Sequence, residues 1–590
     1  MIWTVIKLFT KPAVCLLLIA IIGIVVYYNT FNYPFCFDDK PNIVFNKTLT
    51  DLNNFYSPKG LRYVGFLTFA FNYYLGGLNT FGYHIFNLFI HILNAFLVYY
   101  FVLLTFRTQF YSDRNNKSRT EYDYSNYVSA VFASLLFISH PVQTQAVTYI
   151  VQRFTSLAAF FYLLAMVMYI KARLGYQINM IQKQNSEENQ KFKYVTYYLL
   201  SITSAVLAMK TKEIAFTLPF MIIFYEYSFF NRSFSPDTLK HNIQRCLFQA
   251  PFLLTLLIIP LNIIEADKPI GDIIGELRDK SQETDEISRT SYLITQFRVI
   301  ITYVRLMIVP VKQNLDYDYP VYHSLLNLEV LLSLLSIFVV ISIAAYLFYR
   351  SRNTNNIFRL TAFGIFWFFA TLSVESSIIP IRDVINEHRL YLPGIGLIIA
   401  FATAFLYSFR FMLEKMKFPL QIKYPLMAVM IVFLASASHQ RNSVWKNEIN
   451  LWEDTVQKSP GKARVYINLG VAYGEAGMHD KAIKNYMRAL ELDSKYKLLV
   501  HYNTGNEYYA KGYYDDAIKY YRIALDIDPY FAPAHSNLGS AYYKKRLLDD
   551  AIKEYQAALL LKPDSDVQKN LLTMYSIKEE LDRRKKEAKQ

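Results

Sequence analysis

The chain has 590 residues, of which 53% are hydrophobic and 18% charged, with 49 Tyr, 45 Phe and three Cys. Soluble domains average about 25% charged residues, and the mean hydropathy of +0.15 is high for a soluble chain of this size. The composition excludes a disordered chain, a collagen-like chain and a disulfide scaffold, and Cys15, Cys36 and Cys246 show no zinc or haem spacing. The net charge of +15 fits either nucleic acid or basic loops at a membrane.

Before about residue 440, long apolar runs recur. A spanning helix needs about 20 mostly apolar residues. Eleven candidates lie at roughly 12–29, 84–106, 127–139, 154–170, 194–209, 214–230, 247–265, 325–349, 360–373, 390–409 and 424–439. Lys7 and Lys11 precede an overlong apolar run, so the first span reads as a signal anchor rather than a cleaved leader. The stretch 292–309 carries Arg298 and Arg305 on one helical face. Intramembrane arginine is costly, so it reads as an interfacial helix. With the N-terminus in the cytoplasm, the inner loops hold 21 Lys/Arg in 95 residues and the outer ones 16 in 147. This bias sets the orientation and places 441–590 outside. Positive charge sits in short segments between apolar runs rather than on one module, which argues against nucleic acid.

Several charges stand where a membrane part should have few. Asp38-Asp39 follows the first span directly, and two carboxylates at an apolar interface are expensive unless used. One could act as a general base on a hydroxyl or bind a cation; the bland alternative is a solvated loop or helix cap. In an extended segment only one of the two would face a cavity, with Asp39 then capping the next helix or holding a cation. Arg62 comes next. His84, Asn87, His91 and Asn94 share one face of the second span, where interhelical hydrogen bonding is the favoured reading. His140 follows the third span, and Arg153 opens the fourth. Lys212-Glu213 links the fifth and sixth in a tight turn, and Glu387-His388-Arg389-Leu390-Tyr391 opens the tenth. For each alone, snorkelling or capping is an equal reading. Their common outer end predicts a shared site of Arg153, Lys212 and Arg389 with Asp38.

After residue 440 the charge is mixed, with 25 Lys/Arg and 21 Asp/Glu over 441–590. Three units near 463–496, 498–531 and 532–565 repeat Gly470, Gly505 and Gly539 at one position. Tyr486, Tyr521 and Tyr555 recur at a second, and Ala489, Ala524 and Ala558 at a third. This is the tetratricopeptide pattern. Small residues let paired helices approach, and Pro529 and Pro563 end the second helices. These are packing residues. Trp445–Pro460 reads as half a repeat capping the array, and Lys578–Gln590 as a charged capping helix.

The expected fold is all-α: a polytopic membrane helix bundle over 1–440, then an α-solenoid of tetratricopeptide repeats over 441–590. The order of these motifs, from Asp38-Asp39 through Gly82-Tyr83-His84, His140-Pro141, Arg153, Lys212-Glu213 and Glu387 to Tyr391, resembles membrane glycosyltransferases of the GT-C class. The nearest match is the protein O-mannosyltransferases and the transmembrane and tetratricopeptide repeat-containing proteins. The resemblance implies transfer of a sugar, mannose or a similar hexose, from a polyprenyl-phosphate donor to a hydroxyl of an exported polypeptide, with inversion. It implies Asp38 as base, with Asp39 hard to separate from it. Arg389, Lys212, Glu213, Arg153, His140, Glu387, Arg62 and Tyr391 would bind substrate, and the repeats would hold the acceptor. A divalent cation stays open. Gln143 and Gln145 stand where the family often has an acid, which weakens a role for that loop. The compact size favours a bacterial inner membrane, with the endoplasmic reticulum as the eukaryotic counterpart. A non-catalytic membrane scaffold is the alternative, and it predicts tolerance to Asp38 substitution. A transporter is a third, and it predicts polar residues at mid-membrane depth and repeats among the spans, which are not evident.

Overall fold

The computed structural model describes residues 11–57, 60, 62–108, 119–181, 188–230, 239–263, 286–352, 357–377 and 379–588. Residues 1–10, Leu61, 109–118, 182–187, 231–238 and 353–356, which include five of the 21 inner basic residues, lie outside the described residues. Among the described residues the chain is helical and no strand occurs. It divides into two compact units, residues 1–315 with 319–446, and 316–318 with 447–590.

The first unit contains α1 (Pro12–Tyr27), α2 (Tyr63–Gly76), α3 (Thr80–Thr105), α4 (Arg119–Ser139), α5 (Arg153–Ile181), α6 (Glu188–Met209) and α7 (Leu218–Phe229). It continues with α8 (Leu239–Leu254), α9 (Arg289–Ile308), α10 (Leu328–Arg350), α11 (Ile357–Leu372), α12 (Tyr391–Lys415) and α13 (Lys423–Asn442). Seven helices among the described residues are long and apolar enough to cross a membrane. An eighth counts if Ser125–Ser139 and Pro141–Thr148, bent by 52° at His140, form one broken span. The stretches 246–261 and 357–372 are apolar but shorter. α10 leaves Leu331, Leu335 and Phe338 exposed, which suits a lipid-facing helix, whereas α3 and α5 are largely buried.

The bundle packs where side chains are small. A Cβ on Gly364 of α11 would lie 2.3 Å from the carbonyl oxygen of Gly396 on α12, and the reverse also holds. Only glycines permit that approach. The Trp367 indole N–H then reaches the Leu392 carbonyl at 3.0 Å. An ion pair is buried inside the bundle. Arg173 on α5 grips Glu226 on α7 through two bonds of 2.9 and 2.5 Å, and Tyr169 donates to the same carboxylate. α9 buries Tyr292, Val299, Tyr303 and Leu306, leaving Arg305 to bond the Val311 carbonyl outside the core.

The second unit is an array of helix pairs: α14 (Glu448–Lys458), α15 (Ala463–Glu475), α16 (His479–Leu492), α17 (Lys497–Ala510), α18 (Tyr514–Ile527), α19 (Ala532–Lys544), α20 (Leu548–Leu561) and α21 (Ser565–Glu587). Two expectations about its ends change. Trp445 belongs to the first unit, stacked on Tyr149 with ring centroids 5.1 Å apart, so α14 alone starts the array. The closing helix begins at Ser565, well before Lys578, because Met574 is buried against the last pair while charge dominates only beyond it. Asp316 braces the first pair through ion pairs to Lys462 and Arg464. Within each repeat a tyrosine ring lies on a glycine: a Cβ on Gly470 would meet Tyr486 at 2.4 Å, and one on Gly505 would meet Tyr521 at 2.6 Å. Overpacking of this kind costs about 1–3 kcal/mol. Gly470→Val is therefore expected to lower hydrogen-exchange protection of α15 and α16 in the full chain by that amount, with α19 and α20 unaffected.

Candidate functional site

The acidic half of the site is built by a turn. Phe37 takes a left-handed φ of 49°, and the Asp39 N–H then closes on the Cys36 carbonyl at 3.0 Å. A non-glycine residue there costs about 1–2 kcal/mol, which the bonds made by Asp38 and Asp39 offset. Asp39 is fully buried and accepts from the Cys36 N–H at 3.0 Å and the Val151 N–H at 2.7 Å. Asp38 is half-buried; its backbone N–H donates to the Tyr149 hydroxyl at 2.9 Å. The two acids thus differ in burial, and they sit in a turn and not an extended segment. Asp39 does not cap the next helix with its side chain; its carboxylate ties two loops together. Burial, then the charges of Asp38 and Asp39, push the Tyr149 phenol well up, so it stays a neutral hydroxyl.

The cationic half gathers four segments. Lys212 is extended between α6 and the 3-10 turn Glu213–Thr217; its ammonium donates to Thr155 Oγ1 at 3.0 Å and Glu375 Oε1 at 2.8 Å. Arg62, just before α2, lies 3.6 Å from Glu213 and over the Phe154 ring. Arg389 stands on the 3-10 turn Glu387–Leu390, donating to the carbonyls of Asp383 at 2.8 Å and Val384 at 3.3 Å. Burial opposes charge on Glu375, but Lys212, then Arg389, and more weakly Arg62, outweigh it and hold its carboxyl below the usual carboxylate range. Glu375 therefore stays ionised among three cations. The two halves share one stretch of chain: Asp39 is fastened to Val151 and Lys212 to Thr155, four residues on.

Other expected site residues lie elsewhere in role. Arg153 is completely buried. Its guanidinium donates to Asn87 at 2.7 Å, Asn72 at 2.5 Å and the Tyr83 carbonyl at 3.0 Å, and lies over Phe69 and Phe86. These bonds occupy all three of its nitrogens, so it is an internal strut and not part of the cation cluster. His140 uses both ring nitrogens, accepting from the Val142 N–H and donating to the Met307 carbonyl. Glu387 is buried and accepts from the Gln313 side chain and the Asn314 N–H, fixing the turn that carries Arg389. Tyr391 bonds His91 at 2.7 Å and Asn94 at 3.0 Å in the bundle core. His84 pairs with the Tyr33 carbonyl and Asn87 with those of Val147 and Ile150, so this polar face is used for packing between segments, as favoured from the sequence.

Glu375 escaped the sequence reading. Its signal was the one that marked Asp38, an acid just past the end of an apolar stretch. Tyr149 carried no signal in a chain with 49 tyrosines. Among the described residues, no three His, Cys, Asp or Glu side chains come together as a metal site.

Comparison with known proteins agrees with both units. Family models described as tetratricopeptide repeat match residues 463–496 and 532–565, and one described as TPR repeat matches 505–545. The chain is similar to the protein O-mannosyl-transferase F38B6.6 of Caenorhabditis elegans, 26% identical over 82% of this chain and 63% of that protein. It is 24% identical to the Drosophila melanogaster protein O-mannosyl-transferase Tmtc3 over 81% of this chain and 55% of the other. The human protein O-mannosyl-transferase TMTC4 is 30% identical over 34% of this chain and 28% of its own length. The chain thus spans less than two thirds of these relatives.

The different burial of the acids has a measurable consequence. Removing a buried acceptor costs about 1–3 kcal/mol per unpaired group. Asp39→Ala leaves the N–H groups of Cys36 and Val151 without that acceptor and is expected to lower the thermal midpoint in detergent clearly. Asp38→Ala is expected to shift it much less.

Proposed function

We propose that this chain is a multi-pass membrane glycosyltransferase that moves a hexose, mannose or similar, from a polyprenyl-phosphate donor to a hydroxyl of an exported polypeptide. The observation that carries this reading is that the half-buried Asp38, fastened at Tyr149, and Lys212, fastened at Thr155 in a cluster with Arg62, Arg389 and Glu375, are anchored to one short stretch of chain. The names of the relatives support it. An acid and a set of cations on one short stretch suit a reaction that needs a base on one side and charge stabilisation on the other.

In that reaction the bond from the sugar C1 to the phosphate oxygen breaks and one from C1 to the acceptor oxygen forms. The electron pair leaves with the phosphate, and the acceptor proton goes to Asp38. Attack opposite the leaving phosphate inverts the anomeric centre. The transition state carries positive charge on the sugar and growing negative charge on the phosphate. Cations fixed beforehand stabilise that charge without reorganising. Arg62 is the most accessible of the three, with 43% of its side chain exposed, and makes the first phosphate contact. Lys212 and Arg389 sit deeper and supply field. Glu213 and Glu375 hold the cations together until the donor phosphate arrives. Arg153, named beside them from the sequence, drops out of this role because its donors are used internally.

The transferase is assigned to the first unit, ending at residue 446, and the repeats to the second from 447, six residues later than the boundary expected from the sequence. The lysine and arginine bias supports eleven spans, with the N-terminus inside and the repeats in the periplasm or a lumen, where they gather the acceptor. Thiol labelling of Ser494→Cys from the outer side checks the orientation.

General-base catalysis contributes about 10²–10⁴-fold. Asp38→Asn is expected to lose transfer on that scale at saturating donor while still binding it. A charge-assisted bond is worth about 1.5–3 kcal/mol, so Arg62→Ala should weaken donor use about tenfold or more, with Arg62→Lys rescuing poorly. Full activity of folded Asp38→Asn protein would favour the non-catalytic scaffold.

A further inference from the structure

An open cleft of about 690 Å³ lies beside the cation cluster, bounded on one side by Arg62 and Glu213. Its rim is polar, from Asn46, Asn54 and Ser57, and its wall is aromatic, from Phe55, Tyr63 and Phe66. The loop that forms it is braced. Asn54 donates to the Thr48 carbonyl at 3.0 Å, and the Tyr63 hydroxyl to the Phe55 carbonyl at 2.6 Å. The Asn46 side chain accepts from the Thr48 N–H at 3.1 Å.

The opposite end of that loop is tied to the proposed base. Asn42 donates its side-chain amide to the Asp38 carbonyl at 2.8 Å, and Asn46 donates to the Asn42 carbonyl at 3.2 Å. A short helical segment, Lys40–Val44, lies between them. One braced element therefore carries Asp38 at its start and a cleft residue at its end. The four steps within Lys40–Val44 rise about 6 Å and the four flanking steps add at most about 3.5 Å each, so Asp38 and Asn46 lie within about 20 Å, the reach of about six residues of extended chain.

We propose that this cleft seats the acceptor polypeptide a few residues from its reacting hydroxyl. The proposal rests on the reading of Asp38 as the base acting on that hydroxyl. Arg62 closes one end of the cleft, so the donor phosphate and its hexose occupy that end and leave the part between Asn46 and Ser57 for a second ligand. An extended peptide fits that part. The Asn54 side-chain oxygen and the second amide hydrogens of Asn46 and Asn54 can bond its backbone, while aromatic faces take an apolar side chain. A lipid tail would need an apolar trough without the amide and hydroxyl rim. The acceptor is thus read locally, at a residue within about six positions of the modified one.

The test uses the full chain in detergent with a polyprenyl-phosphate mannose donor and two acceptors, a serine-containing nonapeptide and N-acetylserine amide. Ser57 lines the cleft at an exposed position, and Ser57→Trp fills it. The expected result is an apparent KM about tenfold higher for the nonapeptide, with less than about a twofold change for the serine amide and kcat little affected. Equal penalties on both acceptors would assign the cleft to the donor sugar and overturn the proposal, as would no penalty on either. A second arm does not depend on turnover. Maleimide labelling of Ser57→Cys, in a background with the exposed Cys246→Ser, should slow with the nonapeptide and not with the serine amide. If the unsubstituted protein transfers sugar to neither acceptor, the enzymatic reading fails, and the labelling arm alone decides: protection keeps the peptide site, and its absence removes it.

Discussion

A buried guanidinium must find a partner for each donor, and Arg153 shows how much of the bundle depends on that constraint. Its three nitrogens reach Asn72 on α2 and Asn87 and the Tyr83 carbonyl on α3, from its own place at the start of α5. Arg153 is completely buried, so water cannot substitute for these bonds. The helices that meet at Arg153 are the ones that fix residues 149–155. That stretch in turn carries the contacts to Asp39 and Lys212. A charge that looked like a substrate ligand is therefore better placed as the peg that orients the site.

The same logic separates the two carboxylates after the first helix. Asp39 spends both oxygens on backbone N–H groups, while Asp38, one residue earlier, keeps a half-buried side chain. Asp39, with the Tyr149 hydroxyl on the Asp38 N–H, holds the turn that presents Asp38. The cations have a matching arrangement. Lys212 and Arg389 would repel one another if unbalanced, and Glu375 between them supplies the counter-charge. Carboxylates that hold cations in place suit binding of an anionic donor better than bare positive charge would.

The repeat unit obeys a simpler rule. Glycine on the first helix of each pair admits a tyrosine ring from the second, and the approach is closest at Gly470 and Gly505. Because each pair depends mainly on its neighbours, the array is specified by local contacts. This explains why its repeats could be placed from residue spacing while the membrane site could not be completed that way.

The sequence by itself determined the all-helical class, the long apolar helices and the repeats, because apolar runs and a 34–35-residue period are local signals. It also marked Asp38, Arg62, Lys212 and Arg389 as charges in need of a reason. Only the tertiary structure decided which charges stand together. Arg153, His140, Glu387 and Tyr391 carry the same sequence signal as the others, yet their bonds run to core partners from 66 to 300 positions away in the chain, apart from the Val142 N–H near His140. Glu375 joins Lys212 across 163 residues. A side chain's role in a low-dielectric interior is set by which partner reaches it, and that pairing exists only once the helices have packed.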